Sequence, residues 1–412
     1  MDSYSLAQRA QNASRKIFSA GTEGKNAVLA KMADILKEHK ESIIKANQKD
    51  IALAEKKGVP ETITRRLVFD SRKLESRINS LKKIIALPDP VGQIRGMEKR
   101  PNGLLVGRMR IPLGVILMIY EARPHVTINA GAFALKSGNA IILKGGKEAG
   151  FCNALLGELW REALLSADFP EDAIMCISAS HEEISGLFEL TDYIDLVIPR
   201  GGKGLIRSVV EKSKIPVIKH FEGICHVYID SDADIKKAKR ITLNSKRLMP
   251  EVCNALETLL ISEDKAKDVP DIIAALRNEN VEVRGCSITK GLVQDVLSAT
   301  DNDWHTEYLD TILSVKIVKD IDEAISHINY YGSGHTDSIV TENYTNAQRF
   351  LKEVDSSVVL VNASTMFNDG EELGMGAEIG ISTDRLHARG PMGLEELTTY
   401  KFVVLGEDHI KT

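Results

Sequence analysis

Apolar positions in the first ~85 residues recur at spacings of three and four, with Lys, Arg and Glu between them, over residues 5–18, 23–38 and 71–85. That spacing predicts amphipathic helices with one face in a core, and the many lysines read as solvated faces. Gly58-Val59-Pro60 and Phe69-Asp70-Ser71 supply stop and start signals. The pattern changes near Pro88. From 91 to 110 apolar and polar residues alternate, with Pro101-Asn102-Gly103 as a turn, which predicts a β-hairpin. Short apolar runs at 116–120, 140–143, 174–177, 196–198 and 217–218 then alternate with amphipathic stretches. This is the rhythm of βαβ units in a largely parallel sheet covered on both faces. Asp230-Ser231-Asp232-Ala233-Asp234 interrupts it and predicts a helix cap. Strands are then predicted at 256–261, 312–318, 338–340 and 358–361, with helices at 265–277, 321–329 and 346–354. A second α/β domain therefore begins near Asp230. After Asn362 the chain turns Gly-rich and ends in an alternating strand at 400–405.

The 412 residues give room for two or three domains, and 43% hydrophobic with 27% charged residues is a soluble globular composition. A net charge of −5 offers no general basic surface for nucleic acid. The longest uncharged stretches, such as 111–120, are about half the ~20 residues of a membrane span. Asp2 follows Met1 with no apolar run behind it, so no secretory signal peptide is expected. The five cysteines are scattered, with no CxxC and no Cys/His cluster along the chain. Neither a metal site nor a disulfide framework is expected, and the location expected is cytoplasmic.

Chemistry is suggested first by Leu143-Lys144-Gly145-Gly146-Lys147, where a strand ends in Lys, two glycines follow and a helix starts. Glycines let an anion approach the backbone, and a helix N-terminus offers N–H groups. The arrangement recurs at Arg200-Gly201-Gly202-Lys203. Two such turns suggest a nucleotide across the strand C-termini, although the strict GxGxxG pattern is absent and ordinary glycine-capped turns fit the spacing equally. A nucleophilic cysteine must be partly exposed and able to ionise. Cys152, Cys176 and Cys225 fall in apolar helix or strand patterns and read as packing residues, and Cys286 has no recognisable context. Cys253 sits in a loop before a strand, at the seam between the inferred domains, where active sites tend to lie. His220 and His226 bracket that seam, each readable also as a satisfied structural histidine. The aspartates at 230–234 lack the Gly and distal Glu of a calcium loop.

The chain resembles the aldehyde dehydrogenase superfamily over essentially its whole length. The resemblance is carried by Tyr120-Glu121-Ala122-Arg123-Pro124, Lys136-Ser137-Gly138-Asn139 running into Leu143–Glu148, and Val252-Cys253-Asn254-Ala255-Leu256-Glu257-Thr258. It continues in Tyr331-Gly332-Ser333-Gly334-His335-Thr336-Asp337 and His387-Ala388-Arg389-Gly390-Pro391-Met392-Gly393. It implies two Rossmann-like three-layer α/β domains plus a β-hairpin oligomerisation flap. The cofactor domain would take 1–90 and 111–230, the catalytic domain 231–383, and the oligomerisation segment 91–110 with 384–412. Because an exposed hairpin is stable only when paired or packed, at least a homodimer is expected.

Residue by residue, Cys253 matches the family's nucleophile, Lys144 the lysine that reaches the adenosine ribose, and Glu307 the glutamate of the nicotinamide ribose. Arg200, Gly201 and Gly202 fall at the second cofactor turn, and Lys147 beside Lys144 favours the 2′-phosphate of NADP(H). Two departures stand out. Ala122-Arg123-Pro124 replaces the Asn that stabilises the oxyanion, and His220 takes the place of the Glu that activates water, with Lys219 or Glu222 there under a shift of one or two residues. Without that base a thioester would be kept for phosphate, and backbone N–H groups would serve the oxyanion. The activity implied is NADPH-dependent reduction of an acyl phosphate, L-γ-glutamyl 5-phosphate, to the semialdehyde in proline biosynthesis. Arg123 and Arg389 would meet the anionic substrate. A glutamate 5-kinase would be a separate protein, since the chain lacks room for one. The rivals are a hydrolytic NAD(P)-dependent dehydrogenase of another semialdehyde and a non-catalytic binding protein on this fold.

Overall fold

Helices occupy the chain up to Ala86: Ser3–Ile17, Thr22–Glu38, Lys40–Lys56, Glu61–Leu67 and Ser71–Ala86. The third escapes apolar counting because its buried face is Ile43, Asn47, Asp50 and Ala54, half of it polar. Asn47 ties the chain at Leu67 and Phe69. Asp50 accepts N–H bonds from Phe151 at 3.0 Å and Cys152 at 2.9 Å, at the start of the helix Gly150–Leu165.

The computed structural model describes residues 2–411, and these divide into two units. The first comprises the chain up to Lys219, Gly374–Gly380 and everything from Met392 on; the second comprises His220–Leu373 and Ile381–Pro391.

In the first unit, β1 (Ile94–Lys99) and β2 (Leu105–Pro112) form the hairpin, and β3 (Val115–Tyr120), β4 (Ala140–Lys144), β5 (Ile174–Ile177) and β6 (Leu196–Arg200) form a parallel sheet in the order β5-β4-β3-β6. β3 is buried at every position, as a strand covered on both faces must be. The run at 217–218 makes only an isolated bridge from Val217 to Val197, because Pro216 has no N–H with which to extend a ladder.

The second unit holds β7 (Cys225–Ile229), β8 (Leu256–Ser262), β9 (Glu282–Gly285), β10 (Leu297–Ser298), β11 (Ile312–Val318), β12 (Thr336–Val340) and β13 (Val358–Val361). They make one sheet, β10-β9-β11-β8-β7-β12-β13, with parallel pairing throughout. Strand periodicity separates its two cores. Val227, Ile229, Leu259 and Ile261 pack on one face, and Tyr228 and Leu260 on the other with Ile325, Ile328 and Phe350. Of the three aspartates at 230–234 one caps the next helix: Asp234 accepts from Lys237 N–H, whereas Asp230 is buried beneath Thr341 and Asn346.

Two short strands, β14 (Gly380–Ser382) and β15 (Gly390–Met392), pair with each other. The last strand, β16 (Thr398–Leu405), joins the hairpin in the antiparallel order β1-β2-β16, in register from Thr398 opposite Pro112 to Leu405 opposite Leu105. Tyr400, Phe402 and Val404 alternate on one exposed face of it, with the Arg108 guanidinium over both rings. Among the described residues no helix is long and apolar enough to cross a membrane.

Candidate active site

In the second unit the residues of interest precede strands rather than follow them. Cys253 lies in the turn before β8, His220 and Gly223 before β7, His335 immediately before β12 and Glu307 before β11. Those strands are adjacent in the order β11-β8-β7-β12, so their amino-terminal ends gather segments far apart in sequence within a few strand spacings of ~4.8 Å. The Cys253 sulfur and one ring nitrogen each of His220 and His335 lie within 4.8 Å of one another. The two imidazoles meet edge to face, with centroids 5.5 Å apart.

Backbone contacts fix the nucleophile turn. The buried Cys225 thiol donates to the Cys253 carbonyl at 3.2 Å. A Cβ on Gly223 would collide with the Cys253 carbonyl, so only glycine lets these two chain segments lie together. Gly223 N–H donates to Glu307 Oε1 at 2.8 Å, which brings Glu307 into the same constellation, and Ile224 N–H donates to Ser333 Oγ at 2.9 Å. His220 Nδ1 is 2.8 Å from the Ile381 carbonyl. His226, one residue along β7 from Cys225, points to the other side of the sheet and is held there through Nδ1 by Asp337 at 2.8 Å, while its Nε2 is buried without a hydrogen-bond partner among the described residues.

The remaining cysteines differ from Cys253. Burial pushes the Cys152 and Cys176 thiols up to about 12 and raises Cys225 well above the usual thiol range, so none of these ionises near neutrality. Burial raises Cys286 too, but hydrogen bonds from the Thr289 hydroxyl and from the backbone of Thr289, Ile317 and Ile288 together outweigh it, and its thiol ends below the usual range. Cys286 caps the short helix Ser287–Leu292.

The two glycine turns lie in the first unit, at the carboxyl ends of β4 and β6. Lys144, Gly145, Gly146 and Lys147 border a cavity of about 460 Å³ that extends along Gly157 and the end of β5, a volume within the range of ligand pockets. Half-buried Lys144 is lowered from the ordinary lysine value, chiefly by burial. Two anion-binding positions already hold carboxylates of the chain itself. The helix after the first turn is capped by Asp50, and at the second turn Gly202 N–H donates to Glu121 Oε2 at 2.7 Å. A Cβ on Gly201 would meet that carboxylate, and the Arg200 guanidinium lies against Gly380. Cavity, cations and glycines together fit a phosphate-bearing nucleotide, with Glu121 marking where an anion sits.

Arg123 shares a small cavity with Glu121, Glu148 and Gly201 beside the second turn. Arg389 is engaged by Asp355, with an ion pair at 2.9 Å and a bond to its carbonyl at 3.0 Å. Reading for chemistry singled out neither His335, Gly223 nor Glu121. His335 and Glu121 lie in runs carrying the resemblance and Gly223 follows Glu222, yet only the fold shows which atoms they face.

The model of the aldehyde dehydrogenase family matches residues 2–283 and 284–403, and the chain belongs to that family. Membership implies a nicotinamide cofactor. Within the family the likeness is to γ-glutamyl phosphate reductases: that of Carboxydothermus hydrogenoformans is 50% identical over 408 residues, covering 98% of each chain. That of Desulfotalea psychrophila is 51% identical over 406 residues, 98% of this chain and 97% of its own. The crystal structure of the Thermotoga maritima γ-glutamyl phosphate reductase superposes over 100% of both chains with a TM-score of 0.97 at 44% identity.

Proposed function

We propose that this chain reduces L-γ-glutamyl 5-phosphate to L-glutamate 5-semialdehyde and phosphate with NADPH, the second step of proline biosynthesis from glutamate. The observation that carries the chemistry is Cys253, seated on Gly223 beside Glu307 and flanked by two imidazoles. Relatives at about half identity over the whole chain bear the name of that reductase, and they supply the substrate.

In this reading Cys253 Sγ attacks the acyl carbon, the S–C bond forms, the C–O bond to phosphate breaks and the thiol proton passes to a neighbouring imidazole. The nicotinamide cofactor, when bound, supplies hydride to the resulting thioester. Departure of the Cys253 thiolate then releases the aldehyde. With His220 at the position of the water-activating glutamate, the thioester exchanges with phosphate rather than water. Lys144, Lys147, Arg200, Gly201 and Gly202 hold the cofactor's phosphates and adenosine ribose, with Lys147 beside Lys144 selecting NADP(H), and Glu307 holds its nicotinamide ribose. Arg123 and Arg389 meet the anionic substrate, Arg389 through guanidinium donors beyond those engaged by Asp355. The segments 91–110 and 384–412 join copies of the chain into a dimer or larger homo-oligomer, for which the exposed Tyr400–Phe402–Val404 face is suited. The γ-glutamyl phosphate comes from a separate kinase, and both proteins work in the cytoplasm.

The test is NADP⁺ reduction with glutamate 5-semialdehyde, with and without inorganic phosphate, for wild type and Cys253→Ser. Strict phosphate dependence lost in Cys253→Ser is expected. Equal rates without phosphate would favour the hydrolytic dehydrogenase, and no turnover under either condition would overturn the assignment.

A further inference from the structure

The trio of His220, Cys253 and His335 has a chemistry that the proposed reaction does not use. We infer that it is a binding site for a soft divalent cation, Zn²⁺ foremost, which caps the Cys253 sulfur and arrests the enzyme reversibly. Two imidazoles and a thiolate form an N₂S donor set, which suits zinc, whereas magnesium and calcium demand oxygen. Zn–N bonds of ~2.0–2.1 Å and Zn–S bonds of ~2.3 Å place tetrahedral ligands roughly 3.3–3.8 Å apart. Donor atoms that already lie within 4.8 Å of each other therefore need to close by little more than an ångström.

The supporting shell is in place. His220 Nδ1 faces the Ile381 carbonyl, which can only accept, so the proton sits on Nδ1 and the Nε2 lone pair is the ligand. His335 Nδ1 is 2.7 Å from the Thr336 hydroxyl, itself held by the Asn368 amide at 2.6 Å. The Cys225 thiol anchors the turn that carries the sulfur. On binding, the S–Zn bond replaces the S–H bond of Cys253, the proton goes to solvent, no electrons are transferred, and water fills the fourth position. The chain alone conceals this set because its members are widely separated and none has the short spacing of a zinc motif. Arrest of catalysis rests on the proposed role of Cys253; binding of the metal does not.

The experiment adds Co²⁺ alone to the reduced, full-length protein in phosphate-free buffer. One ion per chain with a thiolate-to-cobalt charge-transfer band is expected, displaced by Zn²⁺, absent in Cys253→Ser and at least ~10-fold weaker in His220→Asn. Zn²⁺ should also slow alkylation of Cys253 by iodoacetamide, mapped by mass spectrometry, and EDTA should restore it. A band that persists in Cys253→Ser, or alkylation indifferent to Zn²⁺, overturns the inference. Because both readouts need no turnover, failure of the reductase assignment leaves them intact, and their failure leaves that assignment standing.

Discussion

Glu257 holds the Lys246 ammonium at 2.7 Å with neither side chain exposed, and its other oxygen accepts Leu309 N–H at 3.2 Å, two residues beyond Glu307. Burial pushes Glu257 up to about 7 against the pull of Lys246, and burial lowers Lys246. Such a pair adds little net stability but is costly to break on one side. Glu257→Ala should therefore destabilise the fold by about 3–5 kcal/mol, whereas Lys246→Met with Glu257→Met should recover most of that. The double variant still lacks the acceptor for Leu309, so its NADPH dissociation constant should rise on the order of tenfold. Urea unfolding and a fluorescence titration with NADPH measure the two effects separately.

Gly223 touches the nucleophile turn through backbone alone. In Gly223→Ala the new methyl must push the Cys253 carbonyl away, because backbone cannot swing aside as a side chain does. A shift of about 1 Å at a reacting atom costs on the order of 100-fold in rate, so kcat should fall by that much while circular dichroism stays native. A kcat within a few-fold of wild type would show that the turn tolerates displacement.

His125 opens the helix His125–Lys136, and its imidazole is lowered to about 3 by burial, aided by the positive charges of Arg77, Arg123, Lys73 and Arg200. The folded chain thus binds fewer protons here than the unfolded chain between pH 6.5 and 3. Its contribution is fully present above pH 6.5 and is lost as pH falls, at up to about 1.4 kcal/mol per pH unit. Urea midpoints measured from pH 7 to 4 should fall more steeply in wild type than in His125→Gln, and parallel curves would remove His125 as a cause.

Lys144 ends β4 half-buried, while Lys147 lies one turn further along the same cavity rim. Lys147→Ala should raise the KM for NADPH while leaving that for NADH nearly unchanged, since only the former carries a 2′-phosphate. Lys144→Ala should weaken both cofactors. Initial rates with each cofactor distinguish the two lysines.

Much of this architecture is legible from periodicity. Short apolar runs announced the strands around 116–120 and 140–143, and a further strand was expected at 256–261; the structure has β3, β4 and β8 there. The first glycine turn borders a cavity at the carboxyl end of its strand, where parallel sheets generally bind ligands. What periodicity cannot reveal is that the second unit gathers Cys253, His220, His335 and Glu307 at the amino-terminal ends of its strands. That grouping depends on strand order, which places β7 between β8 and β12. The helix Lys40–Lys56 was hidden for a related reason: Asn47 and Asp50 face inward to bond distant backbone, a task that leaves no apolar trace.

The second unit is an insertion within the first, and the chain passes between them four times before β16 closes the antiparallel sheet. Along the chain, the last strand of the seven-stranded sheet in the unit that carries Cys253, β13, is complete at Val361, before β16 begins at Thr398. The unit begun first still waits for its final eight-residue strand. The sheet of the nucleophile's unit is therefore complete along the chain before the sheet β1-β2-β16 is, and a chain interrupted short of Thr398 leaves β2 with an unpaired edge open to another chain.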